Sequence, residues 1–284
     1  MTNEQSNSVL ITGASTGIGE ACALFFARQG WRVFAGVRKQ ADAKRLRAAD
    51  GYISPLILDV TKPRQIEAAL KIIKKTTGSS GLQGLVNNAG IGISGPLEFL
   101  PLDELRRQFE VNFFGQVAVT QACLPLLRVS RGRIANISSI GGRVTSPIVV
   151  AYSMSKFALE AFTDGLRREL SPWKMHVASI EPGAIATPIW KKAILEGRKL
   201  RRNYPKKAEV LYGKVMGRVI QRGIRSNSRG LQPEIVARAV WHALTARQPR
   251  TRYIMGRGTR TVIWLNHWLP DEVVDWLMAQ ALYR

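Results

Sequence analysis

The stretch Val9-Leu10-Ile11-Thr12-Gly13-Ala14-Ser15-Thr16-Gly17-Ile18-Gly19 decides the fold. A β-like run, Val9 to Thr12, passes directly into a turn with glycines at 13, 17 and 19. An apolar helix follows from Glu20 to Arg28 and stops at Gln29-Gly30, after which Trp31 to Val37 reads as a second strand. Strand, glycine-rich turn, helix and strand within about 30 residues form a βαβ unit. The turn lacks side chains where a backbone has to approach phosphates, and it opens a helix whose N-terminus attracts anions. By itself it is only a tight turn. Its place after the first strand favours dinucleotide binding by the turn that holds Gly13, Ser15, Thr16, Gly17, Ile18 and Gly19.

Outward from this unit the alternation continues. Ile53 to Leu58 reads as a strand, Pro63 to Lys75 as a helix, and Leu82 to Val86 as a strand ending at Asn87-Asn88-Ala89-Gly90. A long helix is expected from about Leu102 to Leu127, and strands at Arg133 to Ile137 and Val177 to Ile180. Between those strands lies a helix that Ser171-Pro172 stops. Pro233 to Ala246 reads as an amphipathic helix and Tyr253 to Met255 as a last edge strand. This order predicts an α/β fold: a doubly wound, Rossmann-type parallel sheet with helices on both faces. With no repeat or linker in it, residues 1–284 read as one domain.

Ligands in such sheets bind beyond the carboxyl ends of the strands, where the remaining candidates lie. The second strand ends in Val37 with Arg38 and Lys39 after it, and no carboxylate. Two cations there suit a 2′-phosphate, and the planar Arg38 fork can chelate its oxygens. The expectation is NADP(H) in preference to NAD(H). Asp59, with Val60 beside it, either accepts from an adenine amino group or caps the helix near Pro63. Asn88, Ala89 and Gly90 allow close approach of a cofactor. Ser138 and Ser139 follow a strand, where serines are more often caps than catalysts. Tyr152 and Lys156 share a helical face, and a nearby ammonium is expected to lower the phenol's pKa and suit it to proton transfer.

The set Thr12-Gly13-xxx-Gly17-x-Gly19, Asn87-Asn88-Ala89-Gly90, Asn112, Ser139, Tyr152-xxx-Lys156 and Pro182-Gly183-xxx-Thr187 resembles the short-chain dehydrogenase/reductase family over residues 8–190. The resemblance implies a seven-stranded parallel sheet and hydride transfer between a nicotinamide and an alcohol/carbonyl pair. It implies Tyr152 as general acid/base, Lys156 as the residue that lowers its pKa and holds the nicotinamide ribose, and Ser139 as donor to the substrate oxygen. Asn112 would hold a water that links Lys156 to solvent. Pro182, Gly183, Ile185 and Thr187 would clamp the carboxamide. Asn136-Ile137-Ser138-Ser139, Leu166-Arg167-Arg168-Glu169-Leu170 and the tail from Trp268 to Trp276 are similar to the retinol dehydrogenase and 17β-hydroxysteroid dehydrogenase branch. Unlike for its membrane-bound members, no anchor is expected before Val9.

Composition bounds the rest. The polar start, Met1 to Ser8, is no signal peptide, and no apolar stretch reaches 18 residues, so a cytoplasmic location is expected. Cys22 and Cys123 read as buried thiols, and His176, His242 and His267 show no metal-ligand spacing. Of a formal net charge of +22, residues 191–230 carry 13 Lys and Arg against two acids. This segment, about 189–230, is expected to be a helical substrate lid, with an extension at about 257–284. Its Ile189, Trp190, Ile194, Leu195, Val210, Leu211, Val215, Met216, Val219 and Ile220, with Ile93, Val144 and Val149, suggest a pocket for a hydrophobic alcohol or carbonyl, retinoid- or steroid-like. Its charge reads as a solvated face, an attraction to anionic membrane, or a site for an acidic carrier, which makes a 3-oxoacyl thioester reductase the runner-up. Nucleic-acid binding ranks lower, because those cations mix with apolar residues at helical spacing, and a cofactor-binding sensor is disfavoured by the intact catalytic set. A homodimer or homotetramer through the long helices is expected.

Overall fold

The computed structural model describes residues 7–283; the polar stretch 1–6 lies outside them. Strands β1 (Ser8–Ile11), β2 (Arg32–Val37) and β3 (Ile53–Ile57) alternate with helices α1 (Gly17–Arg28), α2 (Gln40–Ala49) and α3 (Pro63–Thr77). Strand β4 (Gly84–Asn87) is followed by α4 (Leu102–Phe109), a π turn (Glu110–Phe114), α5 (Gly115–Ser130) and β5 (Arg133–Ile137). Then come α6 (Val150–Glu169), β6 (Val177–Pro182), α7 (Pro188–Arg202), α8 (Lys206–Ser228) and α9 (Pro233–Thr245). Strand β7 (Arg252–Met255), α10 (Thr259–Trp268) and α11 (Asp271–Tyr283) close the order.

The seven strands form one parallel sheet in the order β3-β2-β1-β4-β5-β6-β7. Parallel strands covered on both faces are buried throughout, which is why β1 and β4 contain no exposed position. Edge strand β3 tolerates Pro55, because it pairs only with β2 and no further ladder needs the missing N–H. One apolar layer packs α1 and α9 beneath the sheet, with Phe26, Trp31 and Trp241 edge to face. The opposite layer packs α3, α5 and α6 through residues such as Ile73, Val119, Leu127 and Leu166. The order reverses between β1 and β4, and the crevice beyond their carboxyl ends is the switch point of a doubly wound sheet.

Two elements depart from expectation. Helix α2 was not foreseen, since Gln40–Ala49 is polar and buries only Ala43 and Leu46. The long helix expected over 102–127 is broken by the π turn and runs on to Ser130. No helix among the described residues is long and apolar enough to cross a membrane.

Candidate active site

At the switch point the glycine-rich turn is shaped by its neighbours. Gly13 and Gly17 take φ of 65° and 63°, a region costly to residues with a Cβ. A Cβ on Gly13 would lie 2.8 Å from Ala89 Cα, and one on Gly19 would overlap the Gly13 carbonyl oxygen and the Asn88 amide nitrogen. The turn is thus packed against the end of β4. Thr12 Oγ1 accepts from the N–H groups of Asn88 (2.9 Å) and Ala89 (3.0 Å), while Asn88 Nδ2 donates to the carbonyls of Thr12 (2.9 Å) and Gly13 (3.1 Å). The Asn88 side chain is thus spent on the loop, which ties the glycine-rich turn to the strand end expected to let a cofactor approach. Gly90 sits beside Asn112, its Cβ direction 3.4 Å from Oδ1.

Thr16 is the N-cap residue of α1 but makes no side-chain cap bond, so it satisfies none of the first-turn N–H groups of Gly17, Ile18 and Gly19. Ser15 is held from outside, its carbonyl accepting from Arg45 Nη2 at 2.6 Å. Arg45 also pairs with Glu20 and was missed from the sequence, because it lies on the unforeseen α2. Arg38 and Lys39 are exposed at the end of β2, with no acidic partner among the described residues. Asp59 neither caps α3, whose N-cap is Lys62, nor leaves both oxygens open. Its Oδ1 accepts from Thr61 N (3.0 Å) and Oγ1 (2.8 Å), and Val60 beside it is buried against Gly115.

The loop after β4 is gripped by three fully buried carboxamides at helical spacing. Gln108 Oε1 accepts from Ile93 N at 2.7 Å, and its Nε2 donates to the Ile91 carbonyl at 2.8 Å. Asn112 Oδ1 accepts from Ile91 N at 2.8 Å, and Gln116 Nε2 donates to the Ala89 carbonyl at 3.0 Å. The π turn holds Asn112 at this register. Asn112 Nδ2 also donates to Ser155 Oγ at 3.2 Å, and Ser155 Oγ donates to the Tyr152 carbonyl at 2.7 Å. Gln108, Gln116 and Ser155 were not singled out from the sequence; a carboxamide every fourth residue was the signal available.

Ser139 follows β5 and caps a short 3-10 turn, its Oγ accepting from Gly141 N at 3.0 Å. The same hydroxyl acts on the Tyr152 phenol, whose ring also lies against Gly141. Lys156 is 4% exposed, with Nζ 5.9 Å from the Tyr152 ring centroid and donating to the Ile137 carbonyl at 2.8 Å. The structure therefore brings Ser139, Tyr152 and Lys156 together, with Asn112 joined through Ser155. It reverses the expected electrostatics. Burial pushes the Tyr152 phenol up, and the Ser139 hydroxyl offsets only part of that rise. Burial also lowers the Lys156 ammonium to about 8, although the Glu160 carboxylate acts to raise it.

Just before α6, Ile148 takes φ of 71°, a strained conformation for a β-branched residue. Its carbonyl accepts from Gly95 N at 2.8 Å, and its side chain is buried against Val215, Met216 and Leu282. So Val215 and Met216 pack on the protein, while Leu195, Val210 and Leu211 are exposed. The single apolar pocket expected from these residues is corrected by that division. Gly183 N donates to Met255 O at 2.8 Å, and Gly183 leaves room for the buried Thr259. Ile185 bridges to Leu231, joining the chain before Pro188 to that after Gly230. Thr187 lies against Gly17, where a Cβ would meet its Cγ2 at 3.1 Å. A cavity of about 380 Å³ lined by Trp31, Gln83, Arg133 and Trp241 lies at the opposite, amino end of the strands.

The family model for short chain dehydrogenase matches residues 7–196. An NADPH-dependent 3-dehydrocapnine reductase of Ornithobacterium rhinotracheale is 36% identical over 281 residues, 97% of this chain and 97% of the relative. Retinol dehydrogenase 5 of Mus musculus is 37% identical over 287 residues, 97% of this chain and 89% of the relative. Among solved structures, a short chain dehydrogenase from Burkholderia cenocepacia in complex with NADP superposes with a TM-score of 0.72 at 26% identity, covering 98% of each chain.

Proposed function

Because the chain belongs to the short-chain dehydrogenase family of oxidoreductases, we propose that it interconverts a hydrophobic alcohol and its ketone or aldehyde with NADP(H). The observation that carries this reading is the grouping of Ser139 and Tyr152, both beside Gly141, with the buried Lys156 ammonium 5.9 Å from the phenol ring. The crevice suits a dinucleotide: a Cβ would fill the cradle at Gly13 and Gly19, and α1 starts at that turn with no side-chain cap on its N-terminus. The exposed Arg38 and Lys39 favour NADP(H); NAD(H) is the second cofactor to test. Bound there, the dinucleotide supplies or takes up the hydride.

The chain's own residues handle the proton. A phenol raised by burial holds its proton at neutral pH, so Tyr152 rests as an acid, ready to protonate a carbonyl oxygen as it is reduced. In the reverse direction its phenolate, formed once the phenol's proton has left to solvent, takes the proton from the alcohol. The Lys156 ammonium behind it stabilises the phenolate that transfer leaves. Ser139 donates to the substrate oxygen as charge develops there. Asn112 fixes the loop and, through Ser155, the first turn of α6; a water held beside it would carry the proton between Lys156 and solvent. Ile185 and Thr187, with Pro182 and Gly183, form the clamp beside the glycine-rich turn.

Residues 1–284 then act as one domain, with 189–230 as lid and 257–284 as extension. Relatives named as retinol dehydrogenase support a retinoid- or steroid-like substrate. The exposed lysines and arginines of α7 and α8 favour a second reading, a 3-oxoacyl thioester carried on an acidic partner. Exposed Met154 and Phe157 on α6 and Phe114 beside α5 support a homodimer or homotetramer through those helices. Exposed Trp264, Trp268 and Trp276, in a chain of net charge +22, support peripheral contact of a cytoplasmic enzyme with anionic membrane.

The test is NADPH and NADH consumption against retinal, ketosteroids, aliphatic ketones and 3-oxoacyl thioesters. Tyr152→Phe should lower kcat by about 10²- to 10⁴-fold while NADPH binding is kept. Retained turnover in that variant would sink the mechanism.

A further inference from the structure

Glu160 lies one turn beyond Lys156 on α6 and is buried to 6% exposure. Such carboxylates are rarely buried without partners, and both of its oxygens are taken. Oε1 accepts from Ser179 Oγ at 2.6 Å, and Oε2 pairs with the Arg252 guanidinium. Arg252, on β7, also donates to Glu181 Oε1 at 2.7 Å and to Asp164 Oδ2 at 2.6 Å. Glu181 is fully buried, its Oε2 has no partner, and it immediately precedes Pro182-Gly183. One guanidinium therefore spans three carboxylates, with Arg167 sharing Asp164 at 3.0 Å.

This cluster of carboxyl groups, in which burial and Glu160 push Glu181 up, lies one turn along α6 from a buried cation. Among the described residues the Ile137 carbonyl is the one acceptor found for Lys156 Nζ. Burying an ammonium with so little compensation costs unless a counter-charge lies near. The other groups around it do not supply one. Tyr152 on the same helix is a neutral phenol at pH 7, and Arg143 is a cation acting on Glu181. On the far side of α6, Arg106 pairs with Asp103 and Arg107 with Glu104 within α4, Glu110 on the π turn is exposed, and so is Lys174.

We propose that Glu160 is a positioning residue: held in place by Arg252 and Ser179, it keeps Lys156 in the ammonium form behind Tyr152. The same clamp ties α6 to the strand leading into Pro182-Gly183, so the proton-transfer helix and the clamp segment share one anchor. The role rests on the reading of Tyr152 and Lys156 as the proton-transfer pair.

The experiment compares kcat/KM against pH for NADPH-dependent carbonyl reduction in the wild type and Glu160→Gln, which keeps an acceptor for Ser179 and removes the charge. Loss of the Lys156 proton sets the alkaline limb, and removing an opposite charge at this range should move that limb down by roughly one pH unit or more. Asp164→Asn, one turn further along α6, should leave it in place. A uniform loss of kcat or of thermal stability with an unmoved limb makes Glu160 a brace only and overturns the proposal, as does an equal shift in Asp164→Asn. Side-chain ¹⁵N NMR of Lys156 Nζ, assigned by its loss in Lys156→Met, reads the same ionisation without turnover. It should show an ammonium at pH 7 in the wild type; a neutral amine there overturns the proposal even if Glu160→Gln fails to fold. If no carbonyl is reduced, the reaction assigned above fails, while the NMR titration still decides the pairing.

Discussion

Gly19→Ala places a methyl group where the Gly13 carbonyl oxygen and the Asn88 side-chain amide already lie. Its backbone is not in the left-handed region, so the cost is steric alone. Gly30→Ala is the complement: φ is 77°, but nothing lies within 4 Å of the new Cβ, so only the conformational cost applies. Gly13→Ala carries both, with φ of 65° and Ala89 Cα at 2.8 Å. A left-handed alanine costs about 1–2 kcal/mol, and an extra methyl in a packed site about 1–3 kcal/mol. The expected order of destabilisation is therefore Gly30→Ala at about 1–2 kcal/mol, Gly19→Ala at about 1–3, and Gly13→Ala at about 2–5. Chemical denaturation with matched slopes measures these values. Binding separates the sites further. Moving the Gly13 carbonyl moves the cradle, so Gly19→Ala should weaken NADPH binding at least about tenfold, equivalent to about 1.4 kcal/mol. Gly30→Ala, at the far end of α1, should bind NADPH as the wild type does. Fluorescence titration of the cofactor decides the matter. Wild-type affinity in Gly19→Ala, or an equal loss in Gly30→Ala, would refute the idea that the β4 end shapes the cradle.

Two further outcomes are expected. Arg38→Ala should raise the NADPH dissociation constant by about 10- to 100-fold, the worth of a charge-assisted contact, and leave NADH within about twofold; equal weakening of both would remove Arg38 from 2′-phosphate recognition. Lys156→Met tests the buried cation through pH. The folded-state value of about 8 lies below the ordinary 10.5, so the unfolded chain binds more protons between them. The cost of burying the ammonium is present in full below pH 8 and vanishes by 10.5, so any stability advantage of Lys156→Met should shrink across that window. A pH-independent difference in denaturation free energy would show that Lys156 titrates normally.

Much of the fold is local, and so was readable. The strands are short apolar runs, the βαβ unit is announced by Gly13, Gly17 and Gly19, and Pro63 and Pro233 mark true helix starts. The candidate site was legible where spacing along one helix sufficed, as for Tyr152 and Lys156. Where function depends on distant partners it was not. Polar Gln40–Ala49 gave little apolar period, so α2 and the Arg45 latch on Ser15 were missed. The side chains of Gln108, Asn112 and Gln116 find their partners in a loop 15 to 27 residues away. Glu160 and Arg252, 92 residues apart, meet only because β7 closes the sheet beside β6.

The electrostatic sign at Tyr152 shows the division most clearly. Four residues of spacing determine that an ammonium and a phenol share a helix face, and from sequence that predicts a lowered phenol. Only the packing of α6 against β5 and β6 sets how much water each group loses. That desolvation raises the phenol and lowers the ammonium. Residue type and period are properties of the chain's neighbours in sequence, whereas burial is a property of everything folded around them.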